Sequence, residues 1–279
     1  MAQTIEILPG AKKIYKKFLQ NKFFDKLTHG LLNLFVNTWS NLKGFYFPEK
    51  FSWDWKLEML SQKYEEDTTN LFKKIIQPNM TVIDIGGHIG YYTTLFAKIV
   101  GNNGKVYAFE ADNDNFKLLE KNTGKYKNVI LTNKAISDKT GEISFFKINN
   151  STGCHSIIKS ENSQIITVPA TTLDEFAKQN NIEKIDVIKI DIEGGEPFAF
   201  KGMKELFSKS KSLTVVMEFS PEALKKADVN PLEFLQEIKD YGFAILQIFP
   251  DAQTKFLELN NIENLEWYRT GYANLLLKK

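Results

Sequence analysis

Three groups of residues in this 279-residue chain have the types and spacing of a reaction site. The first is Asp84-Ile85-Gly86-Gly87-His88-Ile89-Gly90-Tyr91, where a hydrophobic run ends in an acid and enters a glycine turn. Such a turn lets a ligand come close to the backbone at the carboxyl end of a strand. The second is Glu110, at the end of the next strand-like run, about 20 residues past the turn, where a carboxylate accepts hydrogen bonds from both ribose hydroxyls. The alternative for Glu110 is a plain surface acid. The third is acidic: Asp191, Glu193 and Glu196 follow one hydrophobic run and Glu218 ends another.

The first two groups select among nucleotide-like ligands. Nicotinamide and flavin dinucleotides place a pyrophosphate at the turn, normally on a G-x-G-x-x-G pattern. Here the pattern is D-x-G-x-x-x-G, and Asp84 repels a phosphate. S-adenosylmethionine has no phosphate and carries an ammonium and a sulfonium, so an acid beside the turn suits it. The sequence therefore predicts S-adenosylmethionine, with Asp84, Gly86, Gly87, His88, Gly90 and Tyr91 at the turn. Glu110, Ala111 and Asp112 meet the ribose, and Lys134 and Ala135 border the adenine. Asp112 and Asn113 are either ribose-edge groups or helix caps, and Asp138 is equally a turn residue beside Gly141.

The third group supplies the acceptor side. An alcohol is a weak nucleophile at neutral pH, so transfer of a methyl group to it needs a base, a metal or tight in-line positioning. Asp191 either contacts the acceptor hydroxyl or ligates a cation. Glu218 converges with it if their strands are neighbours, a pair suited to Mg²⁺; otherwise Glu218 caps a helix or pairs with a lysine. His155 is a second base candidate, since an imidazole near its ordinary pKa takes a proton at neutral pH, or else it anchors its loop. Cys154 reads as a packing group. Lys189 is placed on the opposite face of its strand, as a structural ion-pair partner.

The elements that must hold these residues alternate in type. Strand-like runs at 80–85, 105–109, 128–133, 185–190, 213–219, 243–249 and 272–277 are separated by helical patterns, which implies a mostly parallel sheet with helices on both faces. Runs at 142–148 and 165–168 read as a local hairpin or edge addition, and pairing the last two main runs as a hairpin gives seven strands. Before the sheet, apolar residues from Ile14 to Phe35 recur near the helical period and lysines 12, 13, 16, 17, 22 and 26 decorate them. That helix is either a core-packing stripe with a solvated basic face or a peripheral contact with an anionic membrane. The aromatic stretch from Phe45 to Trp55 is a lid over the acceptor, a dimer face or simple packing, and a helix over 65–76 leads to the turn at Pro78.

At this point the chain resembles the FkbM methyltransferase family. The resemblance covers roughly residues 65–219 and rests on the turn itself, Val106–Glu110, Ala135-Ile136-Ser137-Asp138, Pro169–Asp174 and Ile188–Glu196. The family usually has a small residue and an asparagine where Gly87 and His88 stand, so the turn is kept while the polar contact at His88 changes. The resemblance implies a Rossmann-like fold, and with the pattern of runs the fold expected is α/β, a Rossmann-like class I methyltransferase fold with a seven-stranded mostly parallel sheet and helices on both faces, plus the N-terminal helical segment read from periodicity. It implies S-adenosylmethionine as donor and methylation of hydroxyls on sugars, polyketides or related metabolites. Gly153-Cys154-His155-Ser156 is similar to a family loop, and Glu65, with Tyr64 and Glu66, matches an acidic position that closes over the methionine end; helix-surface acids are the alternative.

Composition bounds the rest. Length and a 43% hydrophobic share suit one catalytic unit over 64–279 with an N-terminal segment over 1–63. A net charge of +2 gives no reason to expect nucleic acid, no base-amine methylation motif is present, and the partner expected is a small molecule or glycan with a hydroxyl. A homodimer through the aromatic segment is the other partner considered. The single cysteine fits a reducing compartment, and with no signal-like start or run of the roughly 20 apolar residues that span a bilayer, a cytoplasmic location is expected. A nucleic-acid or protein methyltransferase, a dinucleotide-dependent dehydrogenase and a noncatalytic cofactor-binding module are the competing functions.

Overall fold

A computed structural model describes residues 22–49, 51–148 and 163–279. Three helices come first: α1 (Lys22–Lys43), α2 (Trp53–Ser61) and α3 (Glu66–Ile75). Then β1 (Thr81–Ile85), α4 (Tyr91–Val100), β2 (Lys105–Phe109), α5 (Asn113–Thr123) and β3 (Val129–Thr132) alternate as anticipated. After the short β4 (Ala135–Ile136), β5 (Gly141–Ile148), β6 (Ser163–Thr171) and α6 (Leu173–Gln179), the main sheet resumes with β7 (Val187–Ile190). It continues through α7 (Glu196–Lys201), α8 (Lys204–Lys209), β8 (Thr214–Phe219), α9 (Pro221–Lys226) and α10 (Pro231–Asp240). The chain ends with β9 (Ala244–Phe249), β10 (Gln253–Phe256), α11 (Glu266–Thr270) and β11 (Ala273–Lys278).

The main sheet runs β10-β9-β11-β8-β7-β1-β2-β3. From β8 to β3 every pairing is parallel, while β11 is antiparallel to both β8 and β9. The anticipated seven strands are all present, and β10 adds an eighth at the edge, antiparallel to β9. Its sequence, Gln253-Thr254-Lys255-Phe256, is mostly polar, as an edge strand allows, and carries no strand periodicity. The last two main strands are neighbours but no tight hairpin, because β10 and α11 lie between them in sequence. The extra runs form a separate three-stranded sheet, β4-β6-β5.

Side-chain alternation divides the core between the two faces of the sheet. Ile83, Ile188 and Val215 face one cluster with α6 to α10, while Val82, Val187 and Val216 face the other with α3 and α4. Being covered on both faces is why these strands read as nearly continuous apolar runs. The aromatic segment after α1 joins the second cluster through Phe45, Phe47 and Phe51. Asn122 fixes it there: its side chain accepts from Tyr46 N at 2.6 Å and donates to the carbonyls of Tyr46 and Ile89. Thus the segment carrying Trp55 is tied to the glycine turn itself. Helix α1 reaches Lys43, past the anticipated end near residue 37; residues 14–21 of the anticipated stripe lie outside the described residues, and of its members with described side chains Leu31, Leu34 and Phe35 are exposed.

Candidate active site

The strand order reverses between β1 and β7, and a cavity of about 350 Å³ opens at their carboxyl ends, the place where open α/β sheets bind ligands. Gly86 makes the turn possible. It sits at φ +81°, and a Cβ there would overlap the carbonyl oxygen of Asp191, so the ends of β1 and β7 touch only through glycine. The amides of Gly86 and Gly87 both donate to the Phe109 carbonyl, at 3.0 and 2.9 Å, which locks the turn against β2.

Glu110 stands in the cavity wall with its carboxylate already oriented. His88 N donates to one oxygen at 2.8 Å and Asp112 N to the other at 2.9 Å. Burial pushes the carboxyl up to about 7, against the pull of these two backbone bonds. Ala111, Lys134, Ala135, Ile136 and Phe145 continue the wall as a largely apolar slot. Glu65 enters from the N-terminal side, held in a left-handed conformation at the start of α3, and accepts the Tyr92 hydroxyl at 2.9 Å. Burial, then Asp191, raises the Glu65 carboxyl above its ordinary value.

Of the residues anticipated at the cofactor, Glu65, Gly86, His88, Glu110, Ala111, Lys134, Ala135 and Asp191 line this cavity. Five others stand behind the wall. Asp84 is 0% exposed; Thr93 Oγ1 donates to it at 2.6 Å and Lys189 Nζ lies 3.4 Å away, so its carboxylate organises the turn from inside. Gly87 and Gly90 press against Leu119. The Tyr91 ring is buried with its hydroxyl 3.1 Å from Thr69 Oγ1, and it is Tyr92 that reaches Glu65. Asp112 caps α5, accepting from the amides of Asp114 and Asn115, and pairs with Lys147 at 2.6 Å. Lys189 is not remote from the acids: it lies 3.4 Å from Asp191 as well as from Asp84. Burial alone would depress its ammonium, but Asp191, Asp84 and Glu65 outweigh that and hold it above its ordinary range.

At the ends of β7 and β8, Asp191 and Glu218 do converge, and Glu193 joins them. One carboxylate oxygen from each lies within 4.8 Å of the others. The turn that brings Glu193 in is left-handed, with φ +54° at Glu193 and +92° at Gly194. Burial and then Asp191 push Glu193 up to about 7, and burial followed by Asp191 and Glu193 pushes Glu218 up to about 9. Such crowding of oxygen donors invites a proton or a hard cation. Glu196, by contrast, is buried and accepts from Ile192 N at 3.1 Å, holding the loop. His155 and Cys154 lie outside the described residues.

Tyr64 lines the cavity beside Glu65, where the resemblance placed it, and Trp55 joins from the aromatic stretch for which a lid was one reading; Ser220 and Tyr272 complete the cavity and were not assigned to it from the sequence. Tyr272 arrives through register: Asn274 pairs with Glu218 across β11 and β8, which sets the residue two before it beside the acidic cluster. Only knowledge of that pairing would have found it.

The order β3-β2-β1-β7-β8-β11-β9, with β11 reversed, is the Rossmann-like sheet of class I methyltransferases. The chain belongs to the methyltransferase FkbM domain family, whose model matches residues 84–245. Among characterised relatives, the hexuronic acid methyltransferase AglP of Haloferax volcanii is 26% identical over 150 residues, 53% of this chain and 59% of that protein. This chain therefore matches less than two thirds of that relative's length. The 2-O-methyltransferase NoeI of Sinorhizobium fredii is 24% identical over 206 residues, 68% of this chain and 82% of that protein. Among solved structures, a precorrin-6y C5,15-methyltransferase of Geobacter metallireducens superposes with a TM-score of 0.44 at 14% identity, covering 84% of this chain and 93% of that one.

Proposed function

We propose that this chain is an S-adenosylmethionine-dependent O-methyltransferase acting on a hydroxyl of a neutral sugar or similar small molecule. The observation that carries the reading is a single cavity walled both by the pre-oriented carboxylate of Glu110 and by the cluster of Asp191, Glu193 and Glu218. S-adenosylmethionine supplies an electrophilic methyl group on a sulfonium. Glu110 accepts the ribose hydroxyls, the slot at Ala111, Lys134, Ala135 and Ile136 takes the adenine, and Glu65 with Asp191 meets the cationic amino acid end. Asp191 or Glu193 receives the proton of the acceptor hydroxyl; Glu218, protonated near neutrality, serves only once that proton is displaced.

Asp191, Glu193 and Glu218 fit a Mg²⁺ ion by donor type, since hard cations take carboxylate oxygens. A cation held there would polarise the acceptor hydroxyl and remove the repulsion among the three acids. The charge of the cavity supports a neutral acceptor. Five carboxyl groups, Glu65, Glu110, Asp191, Glu193 and Glu218, face the cavity against one lysine, Lys134, with Lys189 behind Asp191, and this excess of acids favours an uncharged ring over a uronate while no cation is bound. AglP is named for a hexuronic acid and NoeI for a 2-O position; the excess of carboxyls around this cavity supports an uncharged ring here.

Calorimetric titration of the full chain with S-adenosylmethionine and S-adenosylhomocysteine tests the reading. Micromolar binding that Glu110→Ala weakens by about tenfold or more, roughly the loss of one charge-assisted hydrogen bond, is the expected result. Absence of binding to folded protein sinks it.

A further inference from the structure

Helix α1 presents its apolar side outward. Leu31, Leu34, Phe35, Thr38 and Leu42 fall on one face of the helical wheel, and the four hydrophobic members are 59%, 65%, 60% and 82% exposed in that order. The opposite face does the packing: Val36 and Ser40 are buried, and the Ser40 hydroxyl donates to the Phe45 carbonyl. Lys56 Nζ adds a bond to Asn37 Oδ1 at 3.0 Å. A continuous apolar stripe on the outside of a water-soluble fold marks a contact surface.

A second feature stands at the end of the same helix. Lys43, Lys98 and Lys125 border a cavity of about 70 Å³, larger than the roughly 10–15 Å³ that one water occupies on this measure. Lys125 Nζ lies 3.4 Å from the Lys43 carbonyl, and among the described residues no carboxylate forms an ion pair with any of the three. Burial and then Lys125 and Lys43 hold Lys98 below its ordinary value, the mark of cations gathered without a counter-charge. Along residues 11–43 the sequence carries seven lysines and one acid, Asp25.

We propose that α1 and the lysine-lined cavity at its C-terminal end dock on the surface of an anionic lipid bilayer. The stripe of Leu31, Leu34, Phe35 and Leu42 enters the boundary between headgroups and acyl chains, and the lysines meet lipid phosphates, the arrangement of an interfacial amphipathic helix. No described helix is long and apolar enough to cross a membrane, so the contact is with the surface. A second copy is the poorer occupant. A two-fold interface sets the same patch against itself, which would bring these lysine-rich surfaces together with few acids to offset them.

The test is flotation of the full chain with phosphatidylcholine vesicles and with vesicles containing about one quarter phosphatidylglycerol, at low and high salt. The expected result is partitioning at least about tenfold stronger on the anionic vesicles and weakened by salt. Leu34→Ser with Phe35→Ser lowers it by about tenfold or more, the scale of two buried apolar side chains. Their circular dichroism and melting temperature stay at the wild-type values, since both side chains are solvent-facing. Lys43→Ala with Lys98→Ala and Lys125→Ala removes the preference for anionic lipid. Equal partitioning on neutral and anionic vesicles, or no partitioning on either, overturns the proposal. So does an unchanged Leu34→Ser/Phe35→Ser variant, or sedimentation equilibrium showing a dimer that this variant dissolves while vesicles do not bind.

Discussion

Lys189 Nζ lies 3.4 Å from Asp84 Oδ1 on the adjacent strand, in a pocket where the two side chains are 6% and 0% exposed. The two residues are register partners between β7 and β1, so a single ion pair joins the strands that flank the cavity. Lys189 also donates to the Gly86 carbonyl at 3.0 Å, which extends the bond to the turn.

Removing one member of such a pair leaves a buried charge uncompensated, at a cost of about 3–5 kcal/mol. Lys189→Met is expected to destabilise by that order in urea unfolding. Asp84→Asn combined with Lys189→Met restores part of the loss, so the double variant is more stable than the two single effects added together. Simple additivity would show that the pair is not coupled.

Gly86→Ala tests the touching ends of β1 and β7. A left-handed φ and an overlap with the Asp191 carbonyl together cost about 2–3 kcal/mol. The melting temperature should fall by several degrees, and Gly101→Ala is the control: it too has a positive φ, but nothing lies within 4 Å of its added Cβ.

Four carboxyls, Glu110, Glu193, Glu196 and Glu218, have folded-state values of about 7, 7, 7 and 9 against an ordinary 4.5. Raised acids bind more protons folded than unfolded, so the stability they contribute is full below pH 4.5 and lost as pH rises through 7 and 9. The ligand-free protein should therefore melt at progressively lower temperature from about pH 5 to pH 9, read by differential scanning calorimetry. A melting temperature that climbs over that range contradicts the buried acids.

Affinity runs the other way. Ribose hydroxyls donate to ionised Glu110, so S-adenosylhomocysteine binding should strengthen as pH rises from 6 through about 7 and then level off. Binding near pH 7 should also release protons, detected as a dependence of the calorimetric heat on the ionisation enthalpy of the buffer. Glu110→Gln flattens both effects if Glu110 is their source.

Divalent ions provide the last check. Mg²⁺ or Mn²⁺ should raise the melting temperature most at pH 8 to 9, where the proton on Glu218 is easiest to displace. Asp191→Asn should abolish the shift, and a shift that survives in that variant would place the ion elsewhere.

Much of the nucleotide side was legible in the order of residues. The glycine turn, the acid after β2 and the apolar slot are local: each motif lies at a strand end, and a parallel sheet sends all its carboxyl ends to one rim. Hence Glu110, Ala111, Lys134 and Ala135 stand together although no pairing was known. Burial was not legible. Asp84, Tyr91 and Asp112 belong to the same motifs but turn inward, because side chains alternate along a strand and rotate by about 100° per residue in a helix. Which neighbour faces the cavity depends on what packs behind it.

The sequence by itself determined the class of fold, the glycine turn and the presence of acids at the ends of the fourth and fifth main strands, since these follow from periodicity and local residue type. Tertiary structure decided which acids meet. Glu193 joins Asp191 and Glu218 through a left-handed turn, Tyr272 reaches them through the register of β11 against β8, and Trp55 comes from a segment held by Asn122. It also decided that the apolar stripe of α1 faces outward, although its periodicity equally suited a core. Periodicity states that a helix has two faces; only the packing of Val36 and Ser40 states which one the protein covers.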